Sequence, residues 1–529
     1  MGNNYFMKEM ISKKRIYRAI EQAMSARTSL DHYVNFPELE HSFLFKEETI
    51  RNLKKRLKNL ECFRPKTTYA FFIPKNDLVY RRMIYVPFED LVIRYMAIEL
   101  IGEKLDSKLY QNCFANRLAP KKERQYHLLE NYATHSWPKF CQWQESMAKR
   151  HKVLLRTDIA SFYDSISHDR LLDILSKELD LPTESGFLYF FRKLLEIPIV
   201  SYSSLDGHLE NSVKDQGLPI GSSAEGIIAN IYLKSVDESM KSIEGIEYGR
   251  YNDDIRIFGN DRKSVIKAMM VLQEKLLSMG LNLGTGKTKI AVTKEEVNKM
   301  RSSLLSVSGM NFERHKSYEV KNLKKHLDLD FGKVNPDFDP KAEIKSNEDA
   351  KNFCIHLSNT KSKRRERLSK RSVEDIEKLT KIILEHPGNG KHASWLLVES
   401  IIYKSVRKSV RKKARKAFFA LLDNSEVSSY IRCRLLHHIL HSYHPERIDY
   451  FKKGDLMEIF PSLLSEWAFE SNMTAINLMR RLGFPHKKIV KKVEKYLSEP
   501  ESDPIRAILK TIRALEKSEK SFSLIGTID

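Results

Sequence analysis

Cysteine is scarce and scattered: Cys62, Cys113, Cys141, Cys354 and Cys433 are five residues in 529, and no two form a Cys-x-x-Cys pair. That spacing disfavours a zinc ribbon, a disulfide framework and a zinc-dependent nuclease module; reduced thiols in a cytoplasmic protein are expected. Long apolar runs are missing too, since none approaches the roughly 20 residues that span a bilayer. The amino terminus, Met1-Gly2-Asn3-Asn4-Tyr5-Phe6, is polar, and Phe6 stands where a myristoylation signal places Ser or Thr. Negative charge is in deficit: 69 Asp and Glu against 91 Lys and Arg leave a net +22. Such a surplus draws a chain to polyanions, nucleic acid first and an anionic membrane second. With no spanning segment, nucleic acid is the expected partner and no membrane is.

What is present suits a folded protein: 41% hydrophobic residues, 10% of all residues aromatic, and a length that calls for about three or four domains. Residues 1–60 read as a basic helical segment. Residues 61–150 carry strand-like runs (Tyr69 to Ile73, Met83 to Val86), an amphipathic helix from Asp90 to Gly102 and a further helix over 121–150. In 151–300 a buried strand ends at Asp158, helices continue to about 200, and a Gly/Pro loop runs into an apolar helix. A hairpin follows, and Ser264 to Met279 is helical with Gly280 as its stop. Residues 301–340 form a further segment, and 333–347, with Pro336 and Pro340, reads as a linker. Helical patterns fill 341–529, over 392–422, 426–443, 455–480 and 485–497, as a repeat-like domain or a plain bundle.

Three stretches carry chemistry. Tyr251-Asn252-Asp253-Asp254 reads as a hairpin turn bearing two adjacent carboxylates, which repel unless a divalent cation lies between them. Alone, an Asx-rich turn explains it as well. Asp158 closes the strand Val153-Leu154-Leu155-Arg156-Thr157; beside that hairpin it completes a three-acid site for two Mg²⁺ ions, and by itself it is a helix cap. Between them, Gln216-Gly217-Leu218-Pro219-Ile220-Gly221 is a loop whose backbone can approach a nucleotide closely, or an ordinary turn. Gly284-Thr285-Gly286-Lys287-Thr288 resembles the end of a phosphate-binding loop, but Leu281 stands where that motif needs Gly.

Taken in order, these stretches resemble motifs A to D of reverse transcriptases: Asp158 with Phe162-Tyr163, Gln-Gly-x-Pro-x-Gly, Tyr-x-Asp-Asp, then Gly280-Leu281-Asn282-Leu283 with Lys287-Thr288-Lys289. Asp158 and Gln216 are 58 residues apart, and Gln216 and Asp253 are 37. Upstream, Arg82-Met83-Ile84-Tyr85-Val86-Pro87 and Phe114-Ala115-Asn116-Arg117-Leu118 resemble the family's two fingers motifs; the resemblance covers roughly 65–312.

The resemblance implies an α+β fold: a right-hand palm (151–300) and fingers (61–150) polymerase core, a thumb-like segment over 301–340 and an all-α, helical repeat-like C-terminal domain. It implies RNA-directed synthesis of DNA from dNTPs. Asp158, Asp253 and Asp254, with the Ile159 carbonyl, would ligate two Mg²⁺ ions (or Mn²⁺ in their place). Lys287 would protonate pyrophosphate. Tyr163 would crowd the sugar 2′ face and favour dNTPs. Gln216 and Gly217 would contact the templating pair, and Arg82 and Arg117 the triphosphate.

Without a ribonuclease H or His-Asn-His module, and with a long helical C-terminal region, the chain resembles the defence-associated and abortive-infection enzymes, relatives of the retron and group II intron enzymes. That group implies antiphage activity with a non-coding RNA, and a homo-oligomer. Untemplated or protein-primed DNA synthesis, or a retron-type enzyme, is the alternative. Finally, Lys404 to Lys416 holds eight cations, among them Arg407, Arg411, Lys412, Lys413 and Arg415, and is either a solvated face or an RNA-binding one. Lys361 to Arg371 is a second such run.

Overall fold

The computed structural model describes residues 9–29, 46–60, 62–131, 135–202, 209–213, 215–220, 224–307, 338–358, 364–424, 426–440, 451, 453–460, 474–476, 478–479, 482, 484–485, 487–489 and 491. The expected thumb-like segment falls largely outside these residues, as do Gly221 to Ser223 of the Gly/Pro loop and Lys361 to Lys363 of the second basic run.

The elements run in chain order α1 (Lys13–Ser29), α2 (Lys46–Arg56), β1 (Thr68–Pro74), β2 (Tyr80–Tyr85), α3 (Phe88–Asp106), α4 (Trp137–Arg150) and β3 (Val153–Asp158). There follow α5 (His168–Leu179), α6 (Gly186–Leu195), β4 (Pro198–Tyr202), β5 (Leu209–Val213), α7 (Gly226–Tyr232) and α8 (Lys234–Lys241). Next come β6 (Ile246–Tyr251), β7 (Asp254–Gly259), α9 (Arg262–Ser278), β8 (Lys289–Ala291) and α10 (Lys294–Val307). The rest are helices: α11 (Asn347–Ser358), α12 (Arg364–Ser369), α13 (Val373–Glu385), α14 (Gly390–Ile402), α15 (Lys408–Asp423), α16 (Ser429–Leu440) and α17 (Lys453–Met457). The fold is therefore mixed α and β, with every regular element described after Asn347 helical except short 3₁₀ turns. No described helix is long and apolar enough to cross a membrane.

Local chemistry explains the helix ends. Ser167 and Ser185 cap α5 and α6, Asp261 accepts from Ser264 N at 2.8 Å to start α9, and Ser372 and Asp375 form a reciprocal capping box on α13. Gly280, at φ 75°, ends the α9 region as its position predicts. Three expectations are corrected. The helix expected over 121–150 is only α4; 121–126 form turns, and Pro138, lacking an N–H, belongs in a first helical turn. The expected helices up to residue 200 give way at Pro198 to strand β4, where β-branched Ile199 and Val200 lie. The single helix expected over 392–422 breaks into α14 and α15, where Tyr403 and Arg407 are extended and Val406 turns inward, 1% exposed.

Two four-stranded sheets result, ordered β2-β1-β4-β5 and β6-β7-β3-β8. In the second, β3 lies antiparallel between β7 and β8, and Asp158 stands directly opposite Asp254. Its Leu155, Ile255 and Ile257 join the main core with α3, α5, α6, α7 and α9. In the first, the β1–β2 hairpin alternates. Phe71, Met83 and Tyr85 pack into a second core built from α11 and α13 to α16, whereas Ala70 and Ile84 enter the main core. His386 Nδ1 meets Asp77 Oδ2 at 2.9 Å at the hairpin tip. Beside it a Cβ on Gly388 would lie 2.8 Å from the Asn76 Cα, so only glycine fits there.

Candidate active site

The acidic turn is held from beneath. Tyr251 pairs with Asp254 across the hairpin, and Asn252 takes the left-handed φ of 60° that a tight turn needs and that Asn tolerates. Arg250, fully buried, grips Asp237 through two bonds of 2.8 Å, reaches Asn230 Oδ1 at 2.7 Å and donates to the Asn252 carbonyl at 3.3 Å. Tyr251 is fixed by its hydroxyl on Ser136 Oγ (2.8 Å) and by the rings of Trp137 and Phe140. None of these supports was visible in the sequence; a large polar residue beside an acidic turn was the only signal.

Asp158 completes the corner. Ile159 N donates to the Asp253 carbonyl at 3.2 Å, and Ile159 bridges to Leu283, so 282–284 run along the end of β3. Gly284 N donates to the Asp158 carbonyl at 2.8 Å, and a Cβ on Gly284 would sit 2.1 Å from Asp158 Oδ1. Glycine there lets the carboxylate lie flat against the backbone. Lys287, on a 3₁₀ turn and half exposed, reaches Asp158 Oδ2 at 2.5 Å. The phosphate-loop look-alike is thus a turn that delivers a lysine to an acid.

The electrostatics are strained as a cation site's should be. Burial, backed by repulsion from Asp254 and Asp158, pushes the Asp253 carboxyl up to about 6. Asp158 Oδ1 is buried without a hydrogen-bond partner. One row along the same sheet face lie three cations, Arg256 opposite Arg156 and Arg156 opposite Lys289. Arg256 is fully buried, 3.8 Å from Asp254 and over the Phe140 ring, and burial pulls its pKa down to about 10. Among the described residues no three acidic, His or Cys side chains converge on one point as ligands. The fit to a divalent ion rests on the all-oxygen donor set and the orphaned Asp158 oxygen.

A hydrogen-bonded node joins three distant segments beside the acids. Asn116 Nδ2 donates to Asn252 Oδ1 (2.8 Å), and the Tyr163 hydroxyl bonds both asparagines at 3.2 to 3.4 Å. Burial pushes the Tyr163 phenol up to about 12. Gly226 makes room, for a Cβ there would fall 2.4 Å from Asn116 Cγ. Of the four described non-glycine residues at positive φ, three (Asn116, Ser161, Asn252) flank this site, where backbone strain tends to collect. Asn116 was inside a recognised motif, yet its role appears only in three dimensions.

Arg82, Asp164, Gln216 and Gly217 line one crevice, with Arg82 donating to Asp164 Oδ1 at 2.7 Å. Gly217, at φ 95°, is pinned by Ile166 and by His168, whose Nε2 lies 2.8 Å from the Gly217 carbonyl oxygen. The crevice holds only about 20 Å³, so a nucleotide would have to lie across it, in the open. Arg117 is placed otherwise: its guanidinium clamps Asp106 at 2.8 and 3.2 Å and bonds the carbonyls of Tyr110 and Cys113. Arg407, Arg411, Lys412, Lys413 and Arg415 lie on or beside α15, in the second core's helices. In the other basic run, Arg367 and Arg371 turn inward, to Glu399 and to the Leu396 carbonyl and Ser400.

Residues 102–323 match the family described as "Reverse transcriptase (RNA-dependent DNA polymerase)". The match covers less than half of the chain, and for that stretch it supports a polymerase of the nucleotidyltransferase class. No curated protein matches the chain by sequence. Among solved structures, apo telomerase from Candida tropicalis truncated from its C-terminal domain is similar at TM-score 0.31 and 12% identity, over 42% of this chain and 50% of that one. Telomerase from Candida albicans, in complex with a fragment of telomeric RNA, is similar at TM-score 0.33 and 12% identity, over 87% of this chain and 67% of that one. The chain thus spans half the length of the first, and likeness this slight adds nothing to the argument from the site.

Proposed function

We propose that the chain makes DNA on an RNA template, with the β6-β7-β3-β8 sheet as its palm and the β1–β2 hairpin as part of its fingers. The observation that carries this reading is the register placing Asp158 opposite Asp254, with Asp253 in the turn and an unpartnered carboxylate oxygen beside them. Asp158, Asp253 and Asp254, with the Ile159 carbonyl, would hold Mg²⁺. Bound there, divalent ions lower the pKa of a primer hydroxyl and neutralise charge on the departing pyrophosphate.

The chain's own residues do the rest. Arg82, released in part from Asp164, offers a guanidinium fork to the triphosphate. Tyr163, held by Asn116 and Asn252, stands at the sugar's 2′ face and selects dNTPs. Lys287 steadies Asp158 between turnovers and carries the proton for the leaving group. Gln216, exposed on a loop pinned by His168, meets the templating pair. The run Phe162 to His168 and the helical C-terminal region support a place among the antiphage enzymes, acting as a homo-oligomer with a non-coding RNA.

Incubation with single labelled dNTPs and with all four, followed by nuclease or protease, tests the reading. Incorporation that needs all four and bound RNA is expected. Wild-type incorporation by the Asp253→Asn, Asp254→Asn variant overturns the site. Label that survives nuclease and is lost to protease replaces a nucleic-acid primer with a protein one.

A further inference from the structure

Helices α13 and α15 pack side by side and treat their surface charge in opposite ways. On α13 the lysines are answered: Lys378 meets Glu374 at 3.0 Å, and Lys381 meets Glu343 at 2.9 Å. On α15 no acidic residue occurs from Lys408 to Leu422. Buried Val410, Ala414 and Phe418 fix its inner face, which turns Lys408, Lys412 and Lys416 outward, all exposed and one helical turn apart. Like charges so spaced repel one another and weaken the helix that carries them. These three lysines make no ion pair among the described residues, whereas neighbouring Lys413 is paired with Glu377 at 2.8 Å and Arg415 lies over two phenylalanine rings. Lys413 and Arg415 thus help to hold the fold, whereas the row of three lysines meets no acid among the described residues.

We infer that the Lys408–Lys412–Lys416 row docks the phosphate backbone of an RNA strand. The inference rests on the polymerase reading for its choice of RNA, and on charge complementarity for the rest: a row about 12 Å long without counter-ions among the described residues, on a chain of net charge +22. Backbone contacts by lysine are point-charge contacts, so the row sets affinity and not sequence preference.

The test measures binding of a labelled mixed-sequence RNA against salt, using the full chain in an Asp253→Asn, Asp254→Asn background so that no extension intervenes. Replacing Lys408, Lys412 and Lys416 by Gln should lower the slope of log affinity against log salt by about 2 to 3 and weaken low-salt binding on the order of 10²-fold. The matching replacement of Lys378, Lys381 and Lys413 should leave both close to wild type, with equal melting curves confirming that each variant folds. Wild-type affinity and slope in the row variant overturn the inference. So does an equal loss in the paired-lysine variant, or a loss confined to phosphatidylserine vesicles. Failure of the parent protein to incorporate dNTPs, with the binding loss still present, sinks the polymerase reading and leaves the docking row standing.

Discussion

The two sheets position charge by different means. In β6-β7-β3-β8 the acids arrive through short-range connections: a two-residue turn, a strand end and a glycine shelf, with Arg250 and Asp237 locked beneath. The cost is electrostatic, visible in the raised Asp253 carboxyl, the orphaned Asp158 oxygen and the buried Arg256. In β2-β1-β4-β5 the charge is paired, Arg82 with Asp164, and the cost is organisational. Arg82 is presented by a hairpin whose far face is packed on helices some 300 residues later, pinned at its tip by His386. One region is stiff and electrostatically uncomfortable; the other is comfortable and depends on remote chain.

That contrast can be broken most decisively at the turn. Asp253→Asn should lower incorporation on the order of 10³-fold or more, since several kcal/mol of charge stabilisation go with the ligand. The same change should raise the melting temperature. A carboxyl whose folded pKa is lifted favours the folded state below its unfolded value and opposes it above about 6, so at neutral pH the ionised group is a burden that Asn removes. Calorimetry with and without Mg²⁺ checks this, and a lower melting temperature without the ion would count against a strained acid cluster. Next in size, Arg250→Met should destabilise the chain by about 3 to 5 kcal/mol by stranding Asp237, read as a lower denaturant midpoint.

On the other sheet, Met83→Ala should cost about 2 to 5 kcal/mol and raise the KM for dNTP more than it lowers kcat, because it loosens the hairpin under Arg82. A kcat effect alone would mean that the hairpin does not present the triphosphate ligand. The smallest effect is shared by both regions. Burial lowers the pKa of His168 and takes that of His392 to about 3, so each folded imidazole resists protonation. Their stability contribution is whole above the unfolded value of 6.5 and is lost as pH falls below it. The denaturant midpoint should therefore fall between about pH 7 and pH 5, and His168→Gln should flatten that decline.

The same contrast explains what could be read from the chain. The acids and the Gly/Pro loop were legible because each belongs to a short stretch whose residue types already imply a turn, a strand end or a close backbone approach; Tyr163 was singled out only by the motif it resembles. Arg82 could be proposed by its motif, yet nothing near it announces that Phe71, Met83 and Tyr85 serve a second core. Arg117 illustrates the converse: an arginine in a recognised motif whose donors are taken up by Asp106 and two carbonyls, contacts that sequence spacing does not encode. Asn116 and Arg250 escaped notice for the same reason, since hydrogen bonds across 136 and 13 residues leave no period or composition behind.

The Asn116–Tyr163–Asn252 node has a consequence beyond holding a ring in place. Its members come from the end of one loop, the segment after β3 and the acidic turn itself, so the phenol is bonded to the residue preceding Asp253. On the proposed reading, discrimination at the sugar and competence at the acids would share one coupling free energy. Substitutions at the three positions should be non-additive in double-mutant cycles, with an error at the 2′ position felt as a displaced turn and not merely as a poorer fit.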